Sequence, residues 1–201
     1  MPQAIRDHSA WLSTQIGQHH DPGDTDDFTA VQTFDAHYVD NESQTVEDCY
    51  EANAWLQSDW VPLTAGEVAS DLRRMSYTRA DLWATAAGLT DDSLGRSLPG
   101  QRWPIRGILS HVAQGEVHYL DLLGLSPIAS SASRSDRVLQ DLTLMRSAVV
   151  ENLPTLIDRH LVVGRRGDQS SPRKMLRRIL YHERDHTLHA QQLLDQMMAC
   201  L

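Results

Sequence analysis

Apolar side chains recur every three or four residues along the C-terminal two-thirds of the chain, and this spacing predicts long amphipathic helices. Local signals mark their starts: Thr64 and Glu67 form a capping box, and proline suits the first turn at positions 104 and 172. Pro154 lies inside the third apolar stripe and predicts a kink or break there. The predicted helices run from Thr64 to Gly88, from Pro104 to Gly124, from about Asp136 to His160 and from Pro172 to Met197.

The connections between these helices carry turn-forming residues. We predict a loop over 89–103, a serine-rich linker over 126–135 and a turn region over 162–167. Four helices with three connections are typical of an antiparallel four-helix bundle. The predicted fold class is therefore mainly α.

The first third of the chain has a different pattern. Residues 1–20 predict a short amphipathic helix, and residues 28–39 alternate in a way that favours a strand. Residues 40–60 are acidic or irregular and contain too few apolar side chains for a core of their own. We predict a small α/β N-terminal appendage over 1–63 and a helical bundle over 64–201.

Composition and charge narrow the class of protein. The chain has 201 residues, 41% of them hydrophobic, and a net charge of −9. A negative surface disfavours binding to nucleic-acid phosphates, and no apolar run approaches the ~20 residues that span a bilayer. The N-terminal segment lacks an apolar signal core, and Cys49 and Cys200 provide no disulfide framework, so we expect a cytoplasmic protein that binds neither nucleic acid nor membrane.

Two histidines interrupt the apolar stripe of the fourth helix. His182 and His186 are four residues apart, so they project from the same side of a helix. Two imidazoles at that spacing can each place a nitrogen ~2.0–2.1 Å from one metal ion. Imidazoles that face a core must be hydrogen-bonded, charged at a cost, or bound to a metal.

The string also matches His-Glu-x-x-His, the signature of zinc metalloproteases. The extended protease motif requires glycine at 189 and histidine at 192, where this chain has His189 and Gln192. We therefore expect a third ligand upstream. His111 in the second helix is the first candidate, and His118, one heptad later, is the reserve. His189 is expected to line a pocket instead.

Two segments resemble the DinB superfamily of metal-binding proteins. They are WPIRGILSHVAQGE at 103–116 and SPRKMLRRILYHERDH at 171–186, and the resemblance covers residues 64–200. It implies a four-helix bundle that holds a divalent metal through His111, His182 and His186. It also implies a reaction on a small molecule, such as S-transfer or isomerisation with a low-molecular-weight thiol as cosubstrate. Zinc, nickel and iron all suit such a site.

Acidic and aromatic residues near the histidines are candidates for further roles. Glu183 and Asp185 could each orient an imidazole, and Glu183 could instead act as a general base; for both, the alternative is a solvated surface charge. Glu116 lies on the opposite side of its helix from His111, which favours a structural salt bridge. Trp103 and Tyr181 are candidates for lining the substrate pocket.

The sequence leaves three hypotheses about function. The first is a metal-dependent enzyme, a thiol S-transferase or a hydrolase acting on a small molecule. The second is a non-catalytic bundle in which the histidine cluster is structural. The third is an interaction module that forms a homodimer through its N-terminal appendage. An open coordination position would favour the enzyme, because structural sites fill every position with protein ligands.

Overall fold

The computed structural model describes residues 10, 11, 13–15, 56–125, 137–165 and 168–199, which are mainly helical. The chain divides into two compact units, Met1–Ala54 and Trp55–Leu201, and this division falls before the boundary predicted at residue 63. The described residues of the first unit are helical, and the strand predicted over 28–39 lies outside the described residues. So does the linker predicted over 126–135.

The second unit contains five α-helices and one hairpin within its described residues. Two short 3₁₀ helices, Gln57–Trp60 and Leu153–Leu156, supplement them. None of the described helices is long and apolar enough to cross a membrane. The elements are α1 (Ala65–Ala86), α2 (Asp91–Gly95), α3 (Ile105–Leu122), α4 (Val138–Asn152), β1 (Val163–Arg165), β2 (Asp168–Ser170) and α5 (Pro172–Ala199).

Capping contacts confirm two of the predicted helix starts, those of α1 and α5. The Thr64 hydroxyl accepts a hydrogen bond from the Glu67 amide at 3.2 Å, and the Glu67 carboxylate accepts one from the Thr64 amide at 2.8 Å. At the start of α5 the Ser171 hydroxyl accepts from the Lys174 amide at 3.1 Å. These side chains satisfy amides that have no partner inside the helix.

The structure differs from the prediction in the connections. α4 ends at Asn152 and continues as a 3₁₀ helix through Pro154, so the predicted break is confirmed, but the predicted helix end at His160 is wrong. Proline lacks the amide that would continue the α-helical ladder. The predicted loop over 89–103 contains α2, and the predicted turn region is an antiparallel hairpin in which Gly164 pairs with Gln169.

Hydrogen bonds between helices show that α1 and α5 run in the same direction. The Thr78 hydroxyl of α1 donates to the Glu183 carboxylate of α5. Two turns later, the Thr85 hydroxyl accepts a hydrogen bond from Gln191. Because the partners advance together along both helices, these two helices are parallel neighbours.

α3 and α4 both run opposite to that pair. Arg146 of α4 donates to the Met75 carbonyl of α1. Arg79, one turn later in α1, donates to the carbonyl of Leu142, which comes earlier in α4. α3 is likewise antiparallel to α5, because its later residues lie beside the earlier residues of α5.

The predicted antiparallel arrangement is therefore wrong for one consecutive pair, since α3 and α4 are parallel. They also pack against each other. The sequence pattern shows where helices form but does not show which way a long connection leads.

Among the described residues, two apolar clusters form the core, and all four long helices contribute to both. We call them the Met75 cluster and the Leu82 cluster. Side chains in both are almost fully buried, as expected for residues on the inner faces of amphipathic helices. The Met75 cluster includes Met75, Leu120, Val149, Leu153 and Ile179, and the Leu82 cluster includes Leu82, Ile108, Val112, Leu142 and Leu193.

Candidate metal centre

Three histidines from two helices converge at the interface of α3 and α5. His111, His182 and His186 each offer one ring nitrogen, and these nitrogens all lie within 4.8 Å of one another. The Nε2 atoms of His111 and His182 are 3.0 Å apart. The His186 ring meets the other two rings edge-on, with centroids 4.7 and 4.5 Å away. The structure thus brings together the three residues that the sequence singled out.

The positions of the three side chains follow from their helices. His182 and His186 lie four residues apart on the inner face of α5, where only 3% and 9% of their surfaces are exposed. His111 comes from α3, which runs in the opposite direction, and is half-buried. His111 is therefore the most exposed of the three histidines.

A glycine in α3 makes room for the central imidazole. A Cβ atom added at Gly115 would lie 2.6 Å from Cε1 and 2.9 Å from Nδ1 of His182. Carbon atoms in contact are normally 3.5–4.0 Å apart, so any larger residue would displace the ring. The close approach of the α3 backbone to His182 therefore depends on glycine at this position.

Aromatic side chains form walls beside the histidines. The Trp103 ring lies 4.6 Å from the His111 ring, centroid to centroid, and the Tyr119 ring lies edge-on to His182 at 5.9 Å. Tyr181, the other aromatic candidate, is 58% exposed and does not face the cluster, because it precedes His182 and points away from the inner face of α5. Sequence reasoning missed Tyr119.

The three histidines are close enough together to bind one divalent metal, and the protonation state of His182 also suits a metal ligand. Two ligands of a tetrahedral zinc ion lie about 3.3 Å apart, given metal–nitrogen bonds of ~2.0–2.1 Å. The 3.0 Å separation of the His111 and His182 nitrogens is close to that value, and a nitrogen of His186 lies within 4.8 Å of both. Burial, reinforced by His186 and His111, lowers the pKa of His182 to about 2, which keeps its imidazole neutral as metal binding requires.

The other candidate histidines lie outside this group. His118 is exposed on α3, where its ring contacts the Tyr119 ring at 5.6 Å. His189 lies 6.4 Å from the His186 ring and 3.3 Å from the Gln101 side-chain oxygen. The exposure of His118 agrees with a rim residue, and the pocket-lining role of His189 stays a prediction.

The two acidic residues next to the histidines in sequence, Asp185 and Glu183, differ in burial. Asp185 is exposed, as expected of a surface charge. Glu183 is only 1% exposed, so its interpretation as a solvated charge is wrong. Its Oε1 accepts from Arg79 at 2.5 Å, and its Oε2 accepts from Thr78 at 2.5 Å and from Arg146 at 2.6 Å.

These contacts bear on Glu183 as a candidate general base. Burial alone would raise the pKa of this carboxyl, but the guanidiniums of Arg146 and Arg79 outweigh burial and lower it. A carboxylate with a lowered pKa and both oxygens occupied is a weak proton acceptor. The geometry supports a role for Glu183 in orienting its helix better than a role in proton transfer.

Glu183 belongs to a buried ion cluster of two arginines and two glutamates. Glu116 of α3 accepts through Oε1 from Arg79 at 2.9 Å and from Arg146 at 2.5 and 2.7 Å, which confirms its predicted salt bridge. Burial raises the pKa of Glu116 more than the two guanidiniums lower it. We call Arg79, Glu116, Arg146 and Glu183 the ion cluster.

Sequence reasoning missed the two arginines, although their positions carry a signal. Each occupies the apolar stripe of its own helix: Arg79 lies between Met75 and Leu82. Arg146 lies at the same spacing between Leu142 and Val149. A charged residue in the middle of an apolar stripe indicates a buried ion pair, because an unpaired charge there is too costly.

Comparison with protein-family models, with curated proteins and with solved structures finds no significant match for this chain. The assignment of function therefore depends on the geometry of the site and on the sequence motifs themselves.

Proposed function

We propose that this protein is a divalent-metal-dependent enzyme of the DinB-like kind, which acts on a small molecule by thiol S-transfer or hydrolysis. The observation that carries the proposal is the convergence of His111, His182 and His186 at one point between two helices. In a chain with ten histidines, two of them are often four residues apart by chance. A third histidine from a separate helix at the same point is a much stronger indication of a metal site.

The arrangement of the long helices supports the DinB-like part of the proposal. We propose that α1, α3, α4 and α5 form the four-helix bundle that the resemblance implies. One helix of this bundle would supply His111 and another the pair at 182 and 186. The parallel pair α3 and α4 requires one long crossover connection, which bundles of this general class can contain.

A metal-dependent enzyme of the proposed kind needs a metal ion with coordination positions that the protein leaves open to substrate. Structural zinc sites usually have four protein ligands, whereas the histidine group contains three of the described residues. When bound, a divalent metal would supply a Lewis acid that lowers the pKa of a coordinated water or thiol. Three neutral imidazoles suit zinc, nickel or iron, so ligand chemistry leaves the choice among these metals open.

The surrounding side chains would shape the substrate position. The Trp103 and Tyr119 rings cover the histidines on two sides and limit the access of water. Arg178 donates a hydrogen bond to the Tyr119 hydroxyl at 3.3 Å, which fixes the orientation of that ring. A small molecule would approach past the half-buried His111.

A non-catalytic metal site is the second candidate, and one observation favours it. The carboxylate nearest the triad in sequence, Glu183, is held by two guanidiniums and is a weak base. If the protein is an enzyme after all, its catalysis would depend on the metal and the substrate thiol rather than on a protein base.

The homodimer stays a prediction.

Thiol binding to the cobalt(II)-substituted protein tests the enzyme against the structural site. We expect a low-molecular-weight monothiol such as 2-mercaptoethanol to produce a new near-ultraviolet absorption band, because thiolate ligation to cobalt gives charge-transfer absorption. Ethylene glycol, which carries a hydroxyl in place of the thiol, is the matched control and should leave the spectrum unchanged. A spectrum that does not respond to millimolar thiol would contradict an open position and favour the structural site.

A further inference from the structure

The ion cluster lies directly beside the histidine centre in sequence and in space. Glu183 follows His182 on α5, and Glu116 follows Gly115 on α3. Both glutamates are almost fully buried, as are the two arginines. We propose that Arg79 and Arg146 are positioning residues of the metal centre, which set the rotation of α3 and α5 so that the histidines converge. This inference rests on the proposed metal-binding function.

Each arginine contacts all three of the other long helices. Arg79 of α1 donates to Glu183 on α5, to Glu116 on α3 and to the Leu142 carbonyl on α4. Arg146 of α4 donates to the same two glutamates and to the Met75 carbonyl on α1. Two guanidiniums thus connect four helices through directional hydrogen bonds at a single level.

These bonds restrain helix rotation more narrowly than the apolar core does, because burial of an apolar stripe sets the rotation of a helix only to within the width of that stripe. Hydrophobic packing is non-directional, and the ion cluster separates the Met75 cluster from the Leu82 cluster along every long helix. Successive residues of an α-helix point about 100° apart, so holding the Glu183 side chain in place also fixes the direction of His182. Holding Glu116 does the same for Gly115, whose backbone the imidazole contacts.

Helix rotation affects metal affinity because metal ligands bind well only within a narrow range of positions. Functional groups need to lie within about 0.5 Å of their productive positions, and residues that support metal ligands typically contribute 10–100-fold to affinity. The planar guanidinium can donate in several fixed directions at once, whereas a lysine ammonium is a point charge. The inference therefore predicts that lysine, which keeps the charge, cannot replace either arginine.

The test measures the dissociation constant for cobalt(II) and the cobalt absorption spectrum of Arg79→Lys and Arg146→Lys. Because the charge is retained, both variants are expected to fold, which circular dichroism checks. We expect each substitution to raise the dissociation constant about 10-fold and to change the visible cobalt bands. The matched control is Val68→Ala, which weakens the core of α1 without touching the ion cluster and should leave both quantities at wild-type values.

Two results would overturn the inference while leaving the proposed function intact. One is wild-type cobalt affinity and spectrum in both lysine variants, which would make the ion cluster purely structural. The other is an equal loss of affinity in Val68→Ala, which would show that general destabilisation is the cause. A wild-type protein that binds no cobalt would instead overturn the proposed function, and this inference with it.

Discussion

Gly115→Ala is expected to destabilise the protein and weaken metal binding, whereas the same substitution in a His182→Ala background is expected to stabilise it. The added methyl group would lie 2.6 Å from Cε1 of His182 in the wild-type chain. Overpacking of this kind costs about 1–3 kcal/mol, which exceeds the roughly 0.5–1 kcal/mol that alanine gains over glycine inside a helix. In the His182→Ala background the clash is absent, so only the stabilisation of the helix by alanine remains.

Urea unfolding of the two single variants and the double variant measures this coupling as a double-mutant cycle. Gly66→Ala is the matched control, because it also lies within a helix and its added Cβ would meet nothing within 4 Å. That variant, in the first turn of α1, should change stability by the same amount in both backgrounds. If Gly115→Ala has the same effect with and without His182, the close contact between the α3 backbone and the imidazole is wrong.

Arg146→Met is expected to lower the free energy of unfolding by about 3–5 kcal/mol, because it leaves two buried carboxylates with a single guanidinium. Arg146 donates to both glutamates of the ion cluster, and Glu116 and Glu183 are only 2% and 1% exposed. Methionine keeps the apolar stem but is shorter than arginine and cannot donate, so the effect combines the lost charge and hydrogen bonds with a smaller loss of packing.

Arg74→Met is the control for that substitution. Arg74 binds Asp71 three residues earlier on α1, but its side chain is 43% exposed. Exposed ion pairs contribute about 0–1 kcal/mol, so the control should change stability by no more than that. Equal losses in the two variants, measured by urea unfolding, would contradict the buried character of the ion cluster.

Local chemistry explains which parts of the fold the sequence predicts. The capping box of Thr64 and Glu67 and the break at Pro154 depend on residues within one turn, so their pattern is visible in a short segment. The short helix α2 was missed because a single turn capped by Thr90 is too brief to show a period. The directions of α3 and α4 depend on a long connection, which carries no such local signal.

The residues of the candidate site likewise fall into those with a local sequence signal and those without one. The spacing of His182 and His186 is a local feature, and His111 was added from its position in an apolar stripe and from the resemblance to the DinB superfamily. The ion cluster joins residues between 30 and 104 positions apart, and no local rule pairs them. Gly115 was missed as well, because the need for glycine arises only when α5 packs against α3.

Metal stoichiometry measured by elemental analysis tests the central claim most directly. Purified wild-type protein, His182→Ala and His118→Ala are saturated with zinc and dialysed before measurement. We expect stoichiometric zinc in the wild type and in His118→Ala, whose exposed histidine lies outside the triad, and none above background in His182→Ala. Equal zinc content in the wild type and His182→Ala would contradict a metal centre formed by His111, His182 and His186.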